Sequence, residues 1–365
     1  MNNTKNIIIS GGGTGGHLFP ALALGDSLKS MGYNVKYIGS KYGIESEVLK
    51  KRNEHAYFLN IKGIQRSLTI HSIINNLIFP IRFILSYIKS WKIITSLNPC
   101  IIIGTGGYAS GLPLLVGVAK KITTLIQEQN SFPGITTRKL HLKVNSVCIA
   151  YKKANDFLNN TGVITGNPIR KNLKVYQKQD AVEYYGLNIN KPILLIIGGS
   201  QGSLPFNNHF KDNYKKYIDN NIQIIWQCGQ KNSYLEGKFI CEGLIIKPFI
   251  KNIDYAYSAA DIVVSRAGAL AIEELKLFAK PMILIPFPHA ANNHQYYNAQ
   301  ELYIKEAAIL VEQSQLTKGD LEKIVFNTIN DTNKLKSLSD NAKTMSFPNA
   351  INDINKIIMR LIEDV

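Results

Sequence analysis

Twice in this chain an apolar, strand-like run empties into a cluster of glycines, and this pairing limits the fold more than any other feature. Ile7-Ile8-Ile9-Ser10 leads into Gly11-Gly12-Gly13-Thr14-Gly15-Gly16-His17, and Ile193-Leu194-Leu195-Ile196-Ile197 leads into Gly198-Gly199-Ser200-Gln201-Gly202. A buried strand that turns through glycines into a helix leaves N–H groups without acceptors at the helix start. The helix dipole favours an anion at the same place. Two such units, 187 residues apart, predict an α/β chain of two doubly wound Rossmann-like domains whose parallel sheets face each other across a deep cleft. That arrangement suits an enzyme joining two substrates.

Further apolar runs recur with helical stretches between them. In the first half they are Lys5–Ser10, Asn34–Ile38, Cys100–Ile103, Thr124–Gln127 and Ser146–Ala150. In the second they are Ile193–Ile197, Ile222–Gln227, Gly243–Ile246, Asp261–Ser265 and Pro281–Pro286. Continuous apolar strands alternating with helices indicate parallel sheets covered on both faces, whereas a barrel needs eight even βα units. Gly166-Asn167-Pro168 is strong turn punctuation. The sequence therefore predicts an N-terminal domain over residues 1–165 and a C-terminal domain over 166–348. A last helix over 349–365 carries Ile351, Ile354, Ile357, Ile358 and Ile362 at helical spacing and is expected to pack back near the domain junction.

The net charge of +16 is unevenly spread: residues 1–170 hold 20 Lys and Arg against 6 Asp and Glu, the remainder 22 against 20. The asymmetry points to an anionic partner for the first half: nucleic acid, an acidic lipid surface or a polyanionic substrate. Cys100, Cys148, Cys228 and Cys241 show no metal or redox spacing, which suggests reduced thiols in a cytosolic setting. The first residues lack the apolar core and cleavage site of a signal peptide. No Asp-x-Asp pair suited to a nucleotide-bound cation occurs, so neither a metal nor a cofactor is expected.

Gly11, Gly13 and Gly16 fit dinucleotide-fingerprint spacing, but the next strand ends Ile38-Gly39-Ser40-Lys41 with no acid until Glu45. A NAD ribose therefore lacks its carboxylate, whereas Ser40 and Lys41 could still face the extra phosphate of NADP. His17 stands where a helix start disfavours a positive imidazolium and favours the proton-accepting form. A third cluster, Gly104-Thr105-Gly106-Gly107-Tyr108, follows another strand. With Gly13 it could hold a pyrophosphate through Gly104, Gly106, Gly107 and Tyr108. Glu128-Gln129-Asn130 ends the following strand and is expected in the same crevice. In the second half, Ser265–Glu274 turns from strand to helix, placing Glu274 to bridge paired ribose hydroxyls. The amide-rich Asn292–Asn298 matches sugar hydroxyls better than phosphate.

Taken in order, Gly11–His17, Gly104–Gly111, Glu128–Asn130, Gly166–Arg170, Gly198–Gly202, Ser265–Glu274 and His294–Asn298 resemble the MurG family of N-acetylglucosaminyltransferases over essentially the whole chain. The resemblance implies the GT-B fold and transfer of GlcNAc from UDP-GlcNAc to the C4 hydroxyl of undecaprenyl-pyrophosphoryl-MurNAc-pentapeptide (lipid I), with inversion, to give lipid II. It implies that Thr14, Gly15 and Gly16 line the donor–acceptor cleft beside His17 as donor-binding residues, and that Asn130 and Arg170 also fall at donor-binding positions. It further implies Ser200 near the donor phosphates and Ile250 on the uracil. Ala269, Leu270, Ala271, Ile272, Glu273 and Glu274 would cover the nucleoside, with Gln295 on the GlcNAc hydroxyls. His17 is the expected general base, with Glu128 the other nearby candidate. Some family members have Thr at the place of Ala271 and others Gln at that of His294. Rival readings are another GT-B glycolipid transferase, a UDP-GlcNAc epimerase or, further off, a nucleotide-dependent oxidoreductase. A nucleic-acid module would leave the second-half sugar cluster without a role.

Between Ile70 and Ile94, Phe79, Phe83, Tyr87 and Trp91 form an aromatic stripe at i+4 spacing beside Arg82, Lys89 and Lys92. Ile70, Ile73, Ile74, Leu77, Ile81, Ile84 and Ile88 trace a separate face. The expectation is that the aliphatic face serves the core and the aromatic, cationic one enters an anionic bilayer surface. Asn75, Asn76, Pro80, Arg82 and Lys89 interrupt the run, arguing against a membrane span. Together with a lipid-linked acceptor, this places the protein peripherally at the cytoplasmic face of the cell membrane.

Overall fold

The computed structural model describes residues 5–63, 69–199 and 201–363. The chain divides into two compact units, Met1–Lys171 with Asn349–Val365 and Asn172–Pro348. The first holds strands β1 (Asn6–Ser10), β2 (Asn34–Ser40), β3 (Ala56–Leu59), β4 (Ile101–Gly104), β5 (Thr123–Glu128), β6 (Ser146–Ile149) and β7 (Gly162–Ile164). They form one sheet in the order β3-β2-β1-β4-β5-β6-β7. The second holds β8 (Ile193–Ile197), β9 (Gln223–Gln227), β10 (Leu244–Lys247), β11 (Ile262–Ser265), β12 (Met282–Leu284) and β13 (Ile309–Leu310), ordered β10-β9-β8-β11-β12-β13. Every strand pairing is parallel. Both units are thus doubly wound and Rossmann-like. In each, the strand order reverses beside the first strand, between β1 and β4 and between β8 and β11, where open α/β sheets place their ligands.

Isoleucine alternation explains the layering. Ile7, Ile9, Ile101 and Ile103 face one core, and Ile8, Ile102 and Ile126 face the core on the other side of the sheet, because successive strand residues point to opposite faces. The first core is completed by Ile354, Ile358 and Ile362 from the helix Ala350–Glu363. Asn355 Nδ2 of that helix also donates to Ser27 Oγ at 2.8 Å. The Gly166–Arg170 turn stays with the first unit, since Asn167, fully buried, accepts from Gln127 Nε2 (3.1 Å) and donates to Gln129 O (3.1 Å). Cys148 lies buried in β6, and burial pushes its thiol up to about 12, so it packs as a small apolar side chain.

The helix Ile70–Leu97 reverses the expected roles of its two faces. Phe79, Phe83 and Tyr87 pack on the core formed by Leu112, Leu114 and Leu140, in line with fully buried Ser90 and Ile94. Small serines at 86 and 90 are both buried on this side. Each aromatic ring also brings more apolar area into the core than an isoleucine does, which fixes the rotation of the helix. The aliphatic face is the one left in solvent: Leu77 is 73% exposed, Ile81 61%, Ile84 58% and Leu85 58%. Trp91, at the stripe's end, is partly exposed with Lys120 Nζ 4.6 Å from its ring centre. No helix among the described residues is long and apolar enough to cross a membrane.

The second unit buries His209 in its core side, with Nδ1 2.8 Å from Leu316 O and Nε2 3.4 Å from the Tyr217 hydroxyl. Burial lowers its pKa from the ordinary 6.5; Glu322 opposes the shift and Lys216 adds to it. Below 6.5 the unfolded chain therefore binds the proton more readily than the folded one, so stability falls as pH drops through that region. The urea midpoint reported by Trp226 fluorescence should be lower at pH 5 than at pH 7, and His209→Gln should flatten the difference. Trp226 is fully buried in this unit, so it reports on this unit's unfolding.

Candidate active site

The first unit's crevice lies at its switch point, where the turn after β1 meets the turn after β4. Both turns feed helices, Gly15–Ser30 and Tyr108–Ala119, and each helix carries proline at its sixth position, Pro20 and Pro113. Pro113 has no N–H to offer the Ala109 carbonyl, which lies 3.0 Å from the Ser10 hydroxyl, a group whose single proton is shared with Ile38 O at 2.7 Å. The N–H groups of Gly15, Gly16, Tyr108 and Ala109 lie in first helical turns and lack intrahelical acceptors. Two helix starts thus converge on one spot. Gly106 (φ +100°) and Gly107 (φ +79°) make this approach possible: a Cβ on Gly106 would sit 2.5 Å from His17 Nδ1, and one on Gly107 2.3 Å from Gly12 O. Thr105 Oγ1 ties the turns together by donating to His17 O at 2.8 Å.

His17 is oriented by acceptors on one side of its ring. Nδ1 lies 2.9 Å from Gln129 Oε1 and 3.1 Å from Thr105 O. Gln129 is buried, and its Nε2 donates to Thr105 O and Gln127 O, both at 2.9 Å, which turns its oxygen toward the imidazole. Two oxygen acceptors at Nδ1 assign the proton there and leave Nε2 as the proton-accepting nitrogen of the neutral ring.

Glu128 departs from the expected catalytic role. It is buried, and its carboxylate accepts from Gly134 N (2.9 Å), Thr137 Oγ1 (2.6 Å) and Asn130 N (3.1 Å). A carboxylate so engaged holds its own loop and does not present an oxygen to a substrate. Asn130 Nδ2 also lies 3.3 Å from Glu128 Oε1, at the crevice rim, and Arg170 is exposed at the end of this unit.

Two glycines assigned to pyrophosphate serve other needs. Gly104 is buried, and a Cβ there would meet Leu114 Cδ1 at 2.4 Å, so its smallness admits the following helix. Gly13 N donates to Glu45 Oε2 at 2.7 Å, while Ser40 N donates to Glu45 Oε1 at 2.9 Å. Glu45, the first acid after β2 in the sequence, is fully buried beneath the turn. It occupies the Gly13 donor and brings negative charge, so anion binding shifts to the Gly15, Gly16, Tyr108 and Ala109 donors. Thr14 is the exposed N-cap residue beside them, and Tyr108 is largely exposed.

The second unit builds its crevice from the turns after β8 and β11. Ser200 lies outside the described residues. The helix after the first of these turns begins only at Leu204. Pro205 lacks an N–H, and Ser203 Oγ lies 3.5 Å from Phe206 N as a cap. The helix start therefore offers fewer donors than its glycines suggest. Positive charge comes instead from Arg266, buried over the Phe206 ring (4.4 Å), whose guanidinium donates to Ser203 Oγ (2.8 Å), Gln313 Oε1 (2.6 Å) and the carbonyls of Ile285 and Pro286 (both 3.1 Å). Burial lowers its pKa to about 10, so it stays charged at neutral pH. Gln227 bridges two donor segments: its Nε2 donates to Gly199 O (3.1 Å) and its Oε1 accepts from Ile250 N (2.9 Å). The Ile250 side chain is itself buried.

The helix Ala269–Leu277 separates the residues expected to cover a nucleoside. Ala269, Leu270 and Ala271 form its first turn, at the end of β11, Leu270 and Ala271 being partly exposed, and Glu274 follows in the second turn. Glu274 Oε2 accepts from the Tyr257 hydroxyl at 2.9 Å, which orients the carboxylate. Ile272 is fully buried, so its side chain belongs to the core. Glu273 is also a structural residue: it is 1% exposed, pairs with buried Lys276 at 2.9 Å and accepts from Phe347 N at 3.1 Å. Gln295 opens the helix His294–Ile304, with its Oε1 accepting from Phe287 N at 2.9 Å, while His294 Nδ1 faces Ala291 O at 2.8 Å.

Comparison with known proteins agrees with this fold. Residues 7–149 match the family model described as the glycosyltransferase family 28 N-terminal domain, and residues 193–354 match the family 28 C-terminal domain. The chain is 40% identical to the UDP-N-acetylglucosamine--N-acetylmuramyl-(pentapeptide) pyrophosphoryl-undecaprenol N-acetylglucosamine transferase of Flavobacterium psychrophilum, across 98% of this chain and 97% of that protein. It is 37% identical to the protein of the same description from Christiangramia forsetii, across the whole of both. The crystal structure of Acinetobacter baumannii MurG superposes with a TM-score of 0.78 at 27% identity, covering 98% of this chain and 99% of that one. Two Rossmann-like domains of this kind are the GT-B architecture.

Proposed function

The chain belongs to the MurG family of N-acetylglucosaminyltransferases, and on that premise we propose that it moves GlcNAc from UDP-GlcNAc to the C4 hydroxyl of the muramyl sugar in lipid I, releasing UDP and forming lipid II. The observation that carries the chemical part of this reading is the His17 ring, held so that Nε2 accepts a proton beside two converging helix starts. The hydroxyl oxygen attacks the GlcNAc anomeric carbon as its proton passes to Nε2. The bond from that carbon to the phosphate oxygen breaks, and UDP departs with the electron pair, inverting the centre. The N–H groups of Tyr108 and Ala109 are assigned to the acceptor pyrophosphate, joined by those of Gly15 and Gly16, which the resemblance alone gives to the donor but which converge on the same spot as the Tyr108 helix start. Arg266 places a fixed positive charge under the turn assigned to the donor phosphates, where negative charge grows as UDP leaves. Glu274 is assigned to the ribose hydroxyls, the Ile250 backbone to the uracil and the Gln295 amide to the GlcNAc hydroxyls. Thr14, Asn130 and Arg170 stay assigned to the donor as the family resemblance implies.

The deciding experiment is UDP release from UDP-GlcNAc with and without a lipid I analogue. Release that requires the analogue, with a disaccharide product, supports the reading. Conversion of UDP-GlcNAc without an acceptor would make the protein an epimerase, and consumption of NADPH an oxidoreductase.

A peripheral position on an anionic membrane is part of the same proposal, with the bilayer meeting the aliphatic face of the Ile70–Leu97 helix in place of its aromatic stripe. The exposure of Leu77, Ile81, Ile84 and Leu85 supports it, as does the cationic balance of the first half. Leu77→Ser, Ile81→Ser and Leu85→Ser combined should lower partitioning onto cardiolipin-containing vesicles by at least about tenfold, at roughly 1.5–3 kcal/mol per fully inserted side chain. The melting temperature should hardly move. Phe83→Ala should instead destabilise the fold, by about 1–3 kcal/mol for a half-buried ring. Equal vesicle binding by the triple variant and the native protein would rule out this face.

A further inference from the structure

We propose that an apolar pocket in the first unit binds the isoprene units next to the acceptor's pyrophosphate, a proposal that rests on the transferase reading above. The pocket, about 330 Å³, lies among the helices Ile70–Leu97, Tyr108–Ala119 and Ile135–Leu140. Phe79, Phe83, Leu112, Leu115 and Leu140 form its walls. At roughly 30 Å³ for each water-sized group, it takes about ten carbons, or two five-carbon units.

Its position selects the occupant. Tyr108, which also lines the pocket, is the first residue of the helix whose N-cap, Gly107, lies against Gly12 in the β1 turn. One end of the pocket is therefore next to the N–H groups assigned to the pyrophosphate. Lys139 and Lys143 also line it and are exposed, so cations stand beside an otherwise apolar chamber. An apolar chain carrying a doubly anionic head matches that combination, whereas a neutral acyl chain makes no use of the lysines. On its other flank, Phe79 and Phe83 belong to the helix whose opposite face exposes Leu77, Ile81 and Leu85. A prenyl chain leaving its diphosphate can thus pass Tyr108, fill the pocket and emerge along the surface assigned to the bilayer. The first two units would be held by protein and the remainder by lipid.

The test uses the native protein, without detergent, and soluble acceptors that share one muramyl-pentapeptide diphosphate head but carry one, two, three or four isoprene units. From one unit to two, kcat/KM should rise about tenfold or more, then level off, as expected when successive buried CH2 groups contribute only until the pocket is full. Leu115→Trp, which fills the chamber, should flatten the series while the KM for UDP-GlcNAc stays unchanged. Lys143→Glu should lower kcat/KM for every chain length alike. A native series that is flat, or one that climbs evenly through four units, overturns this proposal while leaving the transferase reading intact. The same holds if Leu115→Trp folds and preserves the native step. Absence of UDP release with every acceptor overturns the transferase reading and this proposal with it.

Discussion

His17→Ala should lower kcat by about a hundredfold to ten-thousandfold, the usual range for loss of a positioned base, with the dissociation constant for UDP-GlcNAc unchanged. Both the size and the selectivity of the effect follow from the ring's hydrogen bonds. Nδ1 faces two oxygens, so the proton-accepting nitrogen is fixed as Nε2, and the substitution removes that nitrogen while leaving the residues assigned to the nucleotide in place. Gln129→Leu provides a graded control. It removes the side-chain oxygen 2.9 Å from Nδ1 but leaves the Thr105 carbonyl at 3.1 Å. A smaller fall in kcat is expected, together with a changed pH profile, because the imidazole is then less firmly held in one tautomer. Glu128→Gln should act through stability and loop order rather than the pH profile, since its oxygens accept from residues 130, 134 and 137. Near-native turnover by His17→Ala would assign the base elsewhere.

Lys276→Ala should destabilise the second unit by about 3–5 kcal/mol, the cost of stranding a buried charge whose partner is removed. Its ammonium is sealed in with Glu273 at 2.9 Å and donates to Met345 O at 2.8 Å, with both side chains almost wholly buried. The double substitution Glu273→Leu with Lys276→Met should recover most of the loss, because an apolar pair of similar volume avoids desolvating two ions. Urea titration followed by Trp226 fluorescence measures both. The neighbouring residue should behave differently: Glu274→Gln should raise the KM for UDP-GlcNAc about tenfold or more, as expected for loss of hydrogen bonds to a charged group, with a smaller change in midpoint. If Glu273 and Glu274 substitutions gave the same phenotype, the assignment of one to the core and the other to the donor would fail.

These two glutamates mark where sequence reasoning stops. Both stand in the first turns of a helix after a strand end, but adjacent helical residues point about a third of a turn apart. Which one faces the crevice depends on what packs behind, here Lys276 and the Phe347 backbone. The central strands were legible because strands buried on both faces read as unbroken apolar runs. The three strands missed, β3, β7 and β13, all lie at sheet edges. There Tyr57, Val163 and Ile164 are exposed, and the runs are too short and mixed to stand out. In the Ile70–Leu97 helix the sequence revealed both apolar faces but assigned them the wrong way round. The buried serines at 86 and 90, which mark the close approach of another helix, were the available signal. The position of His17 at a helix start was readable from the glycines before it. Its tautomer was not, since the residue that sets it lies 112 positions away. Glu45 was noted only as an acid too late for a ribose, and its place beneath Gly13 depends on the return of the chain after β2.

The helix Ala350–Glu363 belongs to the unit that the chain begins, and Ile354, Ile358 and Ile362 fill the core on one face of that unit's sheet. During synthesis, domains generally fold as they emerge, the N-terminal one first. Here the β1–β7 sheet would wait with that core open until residues 350–363 have been made, after residues 172–348 have already emerged. The unit that is translated first is the one completed last. A nascent chain stalled before residue 350 would carry a finished second unit and a first unit still exposing the apolar surface that the C-terminal helix covers.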